Sequence, residues 1–195
     1  MDVTALTDPA FGLMLGLSLA ATCGLRAFLP LFFIGLAGAM GKVELAESFQ
    51  WMASPAAISC FGTAVVAEIV GDKVPAIDHA LDSLGVVVKP TAAAVAAASM
   101  IQEFDPLLAL TLGLVGGGAV AEVVHLAKAK TRLLSTALTG TLANPVLSVG
   151  EDLAALMAVV LAFLVPGLVL VGMVVLAAWL LRRWRRTRAQ ASGAT

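Results

Sequence analysis

Six apolar runs with few charges inside them dominate this sequence, and they leave it little to become except helices in a bilayer. They cover roughly residues 10–38, 54–71, 90–102, 106–127, 133–149 and 153–181. A helix needs about 20 mostly apolar residues to cross the hydrocarbon core, where every backbone amide and carbonyl must be satisfied within its own segment. Composition closes off the soluble alternative. Only 13% of residues are charged and 60% are hydrophobic, with a mean hydropathy of +0.99, whereas a soluble domain carries about 25% charged residues. The expected fold is all-α, a polytopic transmembrane helical bundle of about six segments. One transmembrane domain is expected over residues 1–188, followed by a disordered cytoplasmic tail over 189–195.

The third and fifth runs are short or polar. Pro90 is expected to open the third and Pro145 to interrupt the fifth, while Phe104-Asp105-Pro106 marks a tight turn before the fourth. Lys and Arg collect in cytoplasmic loops. With six crossings, that side receives Lys73, Lys89, Lys128, Lys130, Arg132 and the arginines at 182, 183, 185, 186 and 188, leaving Lys42 outside and Arg26 within the membrane. Both termini are then cytoplasmic, and Glu44, Glu47, Glu103, Asp105, Glu151 and Asp152 face out. The rival arrangement makes the third and fifth runs re-entrant and leaves four crossings.

An internal repeat is suggested by two echoes. Ala67-Glu68-Ile69-Val70 returns as Ala121-Glu122-Val123-Val124, and Lys89-Pro90 returns as Asn144-Pro145. The repeat units would span about 54–103 and 106–152, each an apolar helix ending in a buried Glu, a connector and a Pro-opened segment. Transporters are often built from such duplicated units. Cys23 and Cys60 both lie in apolar runs and read as buried free thiols. The N-terminus lacks the basic region of a secretory signal, since Asp2 and Asp8 are its only charges before Arg26. Thr22 also argues against a lipoprotein cleavage site at Cys23, so the first run is read as retained.

An ionisable side chain at the bilayer centre costs roughly 2.5–3.5 kcal/mol on insertion scales, which makes such residues the first candidates for function. Arg26 lies in the first run between Gly24 and Pro30, which can break the helix and free backbone groups around the guanidinium. It reads as facing an internal polar site, or as paired with Glu68 or Glu122. Glu68 and Asp72, one turn apart, could bind a cation or pass a proton, with Lys73 beside them. Asp78, His79 and Asp82 read as a solvated connector. Glu122-x-x-His125 has the spacing of a di-iron ligand pair, but Gly71 stands where the other unit would need a His, so no metal is assigned. A proton relay or a pairing with Lys128 and Arg132 suits Glu122 better. Asn144, the one Asn in the chain, precedes Pro145 and could cap a helix starting inside the membrane. Glu151 and Asp152 read as N-terminal residues of the last helix. Small residues at Gly113, Gly116, Gly117, Gly118 and from Ala92 to Ala98 supply faces for close helix contact. The arginines from Arg182 to Arg188 form a lipid-facing anchor, with Trp179 and Trp184 at the interface.

Together Glu68-x-x-x-Asp72-Lys73-x-Pro75-x-x-Asp78, Ser135-Thr136, Asn144-Pro145 and Glu151-Asp152 resemble a family of small bacterial integral membrane proteins defined as a domain of unknown function, over about residues 12–165. The resemblance implies the membrane class and a bacterial inner (cytoplasmic) membrane, and adds no substrate. The functional expectation is a transporter or channel for an ion or small polar solute, with proton coupling open, and with Arg26, Glu68, Asp72, Lys73, Glu122 and Asn144 carrying it. Membrane lipid and the solute are its expected partners, and its size favours a homo-oligomer. No cofactor, enzymatic activity or nucleic-acid binding is expected. The alternative is a non-transporting scaffold or lipid-handling protein whose charges are locked in pairs.

Overall fold

Prolines open most of the helices, at positions where a missing amide hydrogen costs nothing. Pro55, Pro75, Pro106 and Pro166 begin four of them, and the Ser54 hydroxyl and Asp105 carboxylate cap two by accepting from Ala57 N at 3.2 Å and Leu107 N at 2.9 Å. The structure, a computed structural model, describes residues 9–102, 104–139 and 144–192, and every regular element in them is helical. In chain order these are α1 (Pro9–Thr22), α2 (Phe28–Ala39), a 3-10 segment (Glu47–Ala53), α3 (Pro55–Gly71), α4 (Pro75–Met100), α5 (Pro106–Leu112), a π-helical turn (Gly113–Gly118), α6 (Ala119–Thr139), α7 (Asn144–Leu164) and α8 (Pro166–Ser192). α5, the π turn and α6 run on as one long helix.

Four stretches are long and apolar enough to cross a bilayer: Ala80–Met100, Pro106–Ala137, Val146–Leu164 and Pro166–Arg183. A fifth results if the 3-10 segment and α3, bent by 67°, count as one span. The chain is thus a multi-pass membrane protein with four or five long spans rather than six.

The fifth expected run, 133–149, is divided between the end of α6 and the start of α7, the sixth supplies parts of both α7 and α8, and the first makes no long span. α1 and α2 have 14 and 12 residues, about 21 and 18 Å at 1.5 Å per residue, short of a hydrocarbon core of about 30 Å. They form a hairpin. Gly12 and Gly16 of α1 lie against the Met100 and Ala97 carbonyls near the C-terminal end of α4, and Gly24, past the other end of α1, lies against Ala121 of α6. α2 then returns: Ala27 meets Glu68 near the end of α3, Gly35 passes the Met52 carbonyl, and Ala46 N donates to Ser99 O at 2.9 Å. Both feet of the hairpin therefore stand at the C-terminal end of α4. The chain break expected at Arg26 is present, over residues 23–27, and the element that turns back is this hairpin, while the runs at Pro90 and Asn144-Pro145 form parts of longer helices.

Two boundaries move for physical reasons. α4 continues through Pro90, which sits inside the helix. Lys89 before it has no capping side chain, and the Thr91 hydroxyl donates to Val87 O at 2.7 Å beside the missing proline amide bond. Glu151 and Asp152 do not begin the last helix. They lie two turns inside α7, where cations neutralise them, and the break falls at Pro166. The two Pro-bearing segments proposed as equivalent thus differ, one proline interior and one in a first turn.

Packing uses small residues, as lipid removes the usual hydrophobic drive between helices. A Cβ at Gly113 would lie 2.7 Å from Ala97 Cβ on α4, and one at Gly117 would lie 2.2 Å from Ala20 Cβ on α1. The π turn therefore presents glycines to both neighbours, Gly113 most closely to α4 and Gly117 most closely to α1. Cys23 is buried at the hairpin tip, whereas Cys60 is exposed on α3.

Candidate functional site

Three helices carry polar residues along a single stripe: Glu68 and Asp72 at the end of α3, Asp82, Gly85 and Lys89 on α4, and Glu122, His125, Lys128 and Arg132 on α6. Steps of three and four residues put each set on one face. The stripes converge on the tip of the α1–α2 hairpin, where α7 adds Glu151 and Asp152.

Asp72 is the hub. Its Oδ2 lies 2.6 Å from Arg26 Nη1, 3.1 Å from Lys128 Nζ and 2.8 Å from Arg132 Nη2. Glu151 Oε2 meets the same Lys128 at 3.2 Å and Arg132 at 2.5 Å. Asp152 pairs with Arg26 and, at 3.3 Å, with Lys73. Arg26, Asp72, Lys128 and Arg132 are all buried, so these pairs act in a low-dielectric interior where an unpartnered charge is costly. In the connector just beyond α3, burial alone would raise the Asp72 carboxyl, but Lys128, Arg26 and Arg132 outweigh it and hold the group below the usual carboxylate range.

Glu68 does something different. Its Oε1 accepts from Ala27 N at 3.0 Å and its Oε2 from Phe28 N at 3.4 Å, so it caps α2 from another helix and meets the positive end of that helix's dipole. Its backbone carbonyl accepts from Arg26 Nη1 at 3.1 Å. Arg26 is therefore joined to Glu68 through the main chain, while its ion pairs go to Asp72 and Asp152 rather than to Glu68 or Glu122.

Lys89 and His125 form a second polar group. His125 Nε2 lies 3.1 Å from the Asp82 carbonyl, and Nδ1 lies 2.8 Å from Lys89 Nζ. A carbonyl only accepts, so Nε2 carries the ring proton and donates to it, and Nδ1 accepts a hydrogen bond from the lysine ammonium. Gly85 makes room for the ring, since a Cβ there would lie 2.8 Å from His125 Cε1. Lys89 is only 4% exposed, yet no carboxylate among the described residues lies within ion-pair distance of it.

A cavity of about 270 Å³ opens between the tip of α2, α3, α4 and α6, with Ala27, Phe28, Glu68, Asp72, Asp82, Lys89 and Lys128 in its wall. Arg26 and Glu122 are outside it. Glu122 keeps a buried Oε2 with no hydrogen-bond partner and does not pair with Lys128 or Arg132. Those residues lie six and ten positions further along α6, about 9 and 15 Å by helical rise, and bond to Asp72 and Glu151. The side chains of Asn144, Asp78 and His79 lie outside the described residues. Sequence reasoning missed Asp82, Lys89, Lys128, Arg132, Glu151 and Asp152 as site residues. The signal that could have found the first four is the stripe spacing, Asp82 to Lys89 and Glu122 to Arg132.

A family model described as a domain of unknown function, DUF4126, matches residues 13–186, and the chain belongs to that family. Comparison with curated proteins and with solved structures gives no match.

Proposed function

We propose that this member of the DUF4126 family is a small carrier or channel of the bacterial inner membrane, moving an ion or small polar solute through the cavity beside the hairpin tip without enzymatic chemistry. The observation that carries the reading is Lys89, a buried cation within a long apolar span that faces a cavity and has a neutral imidazole as its nearest partner. A charge so placed is expensive unless something uses it. The basic residues Lys73, Lys130 and Arg182 to Arg188 put the hairpin-tip end of the bundle toward the cytoplasm, and apolar side chains exposed along α7 and α8, such as Leu153, Met157, Leu168 and Val175, would face lipid.

The reading is tested with purified protein in liposomes, following potassium, proton and chloride flux for wild type and for Lys89→Gln. Flux above empty vesicles that falls at least about tenfold in Lys89→Gln supports it, a factor equal to about 1.4 kcal/mol. Wild type indistinguishable from empty vesicles for every ion removes it. That result would favour the scaffold reading, whose own support is the closed ion network around Asp72.

A further inference from the structure

We infer that the solute taken by this cavity is a small monovalent anion, and that the Glu68 carboxylate is a tethered anion occupying part of its site. The inference rests on the transport reading and names its substrate class. Two features in the cavity wall favour negative charge. The first amides of α2, at Ala27 and Phe28, point at the Glu68 oxygens from 3.0 and 3.4 Å, and α2, with 12 residues, is long enough for its N-terminus to bind an anion by amide donation and dipole together. The same cavity is lined by Lys89, 4% exposed, with one bond to neutral His125 Nδ1 at 2.8 Å. An ammonium has three donors, so Lys89 can give the others to a ligand.

The remaining wall charges do not reverse this preference. Asp72 is held by Arg26, Lys128 and Arg132, and Lys128 is shared between Asp72 and Glu151. Asp82 lies seven residues before Lys89 on α4, roughly 10 Å by helical rise, forms no ion pair with it, and is on the side nearer the connector. A cation entering would meet Lys89 and the positive end of α2. An anion meets both favourably once Glu68 gives way, and the single negative charge of Glu68 sets the size of the exchange: one small anion for one carboxylate. With Glu68 seated the α2 terminus is already satisfied, so the side chain closes the site in the absence of ligand. Its backbone stays anchored through the Arg26 bond to its carbonyl, so only the carboxylate needs to move.

The experiment uses the full chain in chloride-loaded liposomes, reading chloride efflux and, in parallel vesicles, potassium efflux, for wild type, Glu68→Gln and Lys89→Gln. Glu68→Gln keeps an acceptor for the α2 amides and removes the competing charge. Chloride efflux is expected to rise roughly tenfold in Glu68→Gln, the scale of one charge at a partly buried helix terminus, and to fall to the empty-vesicle level in Lys89→Gln. If Glu68→Gln does not elute as a folded species, Lys89→Gln alone decides, and chloride efflux equal to wild type overturns the inference. Efflux of potassium but not chloride from wild type overturns the anion class and leaves transport standing. Movement of neither ion fails both. A rise in Glu68→Gln for both ions alike also overturns it, since a lost structural cap would loosen the site without regard to charge.

Discussion

Asp72 shows how one carboxylate can hold four helical elements together. Its Oδ2 is shared by cations from the hairpin tip and from two places on α6, and Glu151 and Asp152 on α7 complete the loop. Neutralising it leaves three buried cations short of a partner, and breaking a buried pair typically costs about 3–5 kcal/mol. Asp72→Asn is therefore expected to lower the unfolding midpoint sharply in denaturant titration and to cut the monodisperse yield, while Asp82→Asn, whose carboxylate makes none of these pairs, leaves both near wild type. Equal stability of Asp72→Asn and wild type would show the network to be dispensable. Arg26, Glu68 and Asp72 stood out in the sequence because their charges interrupt or end apolar runs, and all three are buried. Lys128, Arg132, Glu151 and Asp152 were read as loop and helix-start residues, since a charge near the end of an apolar run looks the same whether water or another side chain neutralises it. Only the position of the partner distinguishes the two, and that is a property of the fold.

At the scale of elements, the break at residues 23–27 was legible from Gly24 and Pro30, but its consequence was not. A broken helix and a re-entrant hairpin have the same local sequence, and what makes this one turn back is the surface it meets: Ala121 against Gly24 and the Glu68 carboxylate against the α2 amides. Prolines were ambiguous in the same way. Pro106 opens a helix because Asp105 caps it, whereas Pro90 follows Lys89, which points into the bundle and leaves the helix unbroken. The small-residue faces were legible and do act in packing. Gly117 is the tightest contact, so Gly117→Ala is expected to force α1 away from the π turn and to cost about 1–3 kcal/mol, the range for overpacking. Ala20→Gly in the same chain removes the clashing Cβ, leaving Ala20 Cα 3.4 Å from the added methyl. The double variant is expected to recover most of the lost thermal stability. Failure of that rescue would mean that the strain lies elsewhere in the turn.

At the scale of the whole molecule, the hairpin bears on which side of the membrane α1 starts. If residues 10–38 crossed, Ala10 and Met40 would lie on opposite faces; as a hairpin they share one. α8 packs along α1 and α6 and ends in the basic stretch, with the Arg183 guanidinium 5.4 Å from the Trp179 ring centre, an arrangement suited to the headgroup layer. Under the positive-inside rule the hairpin-tip end is expected to be cytoplasmic and the start of α1 to lie on the other face. Single-cysteine reporters at Ala10, Met40 and Lys130, in a chain with Cys60→Ser and the buried Cys23 left in place, separate the two arrangements. A membrane-impermeant maleimide added to intact cells is expected to label the reporters at 10 and 40 and to reach the one at 130 only after permeabilisation. Labelling of 10 and 40 from opposite faces would restore the crossing first segment. It would also separate the α2 N-terminus from the anion path, because a crossing α1–α2 could not bring both feet to the end of α4 while holding Ala27 against Glu68.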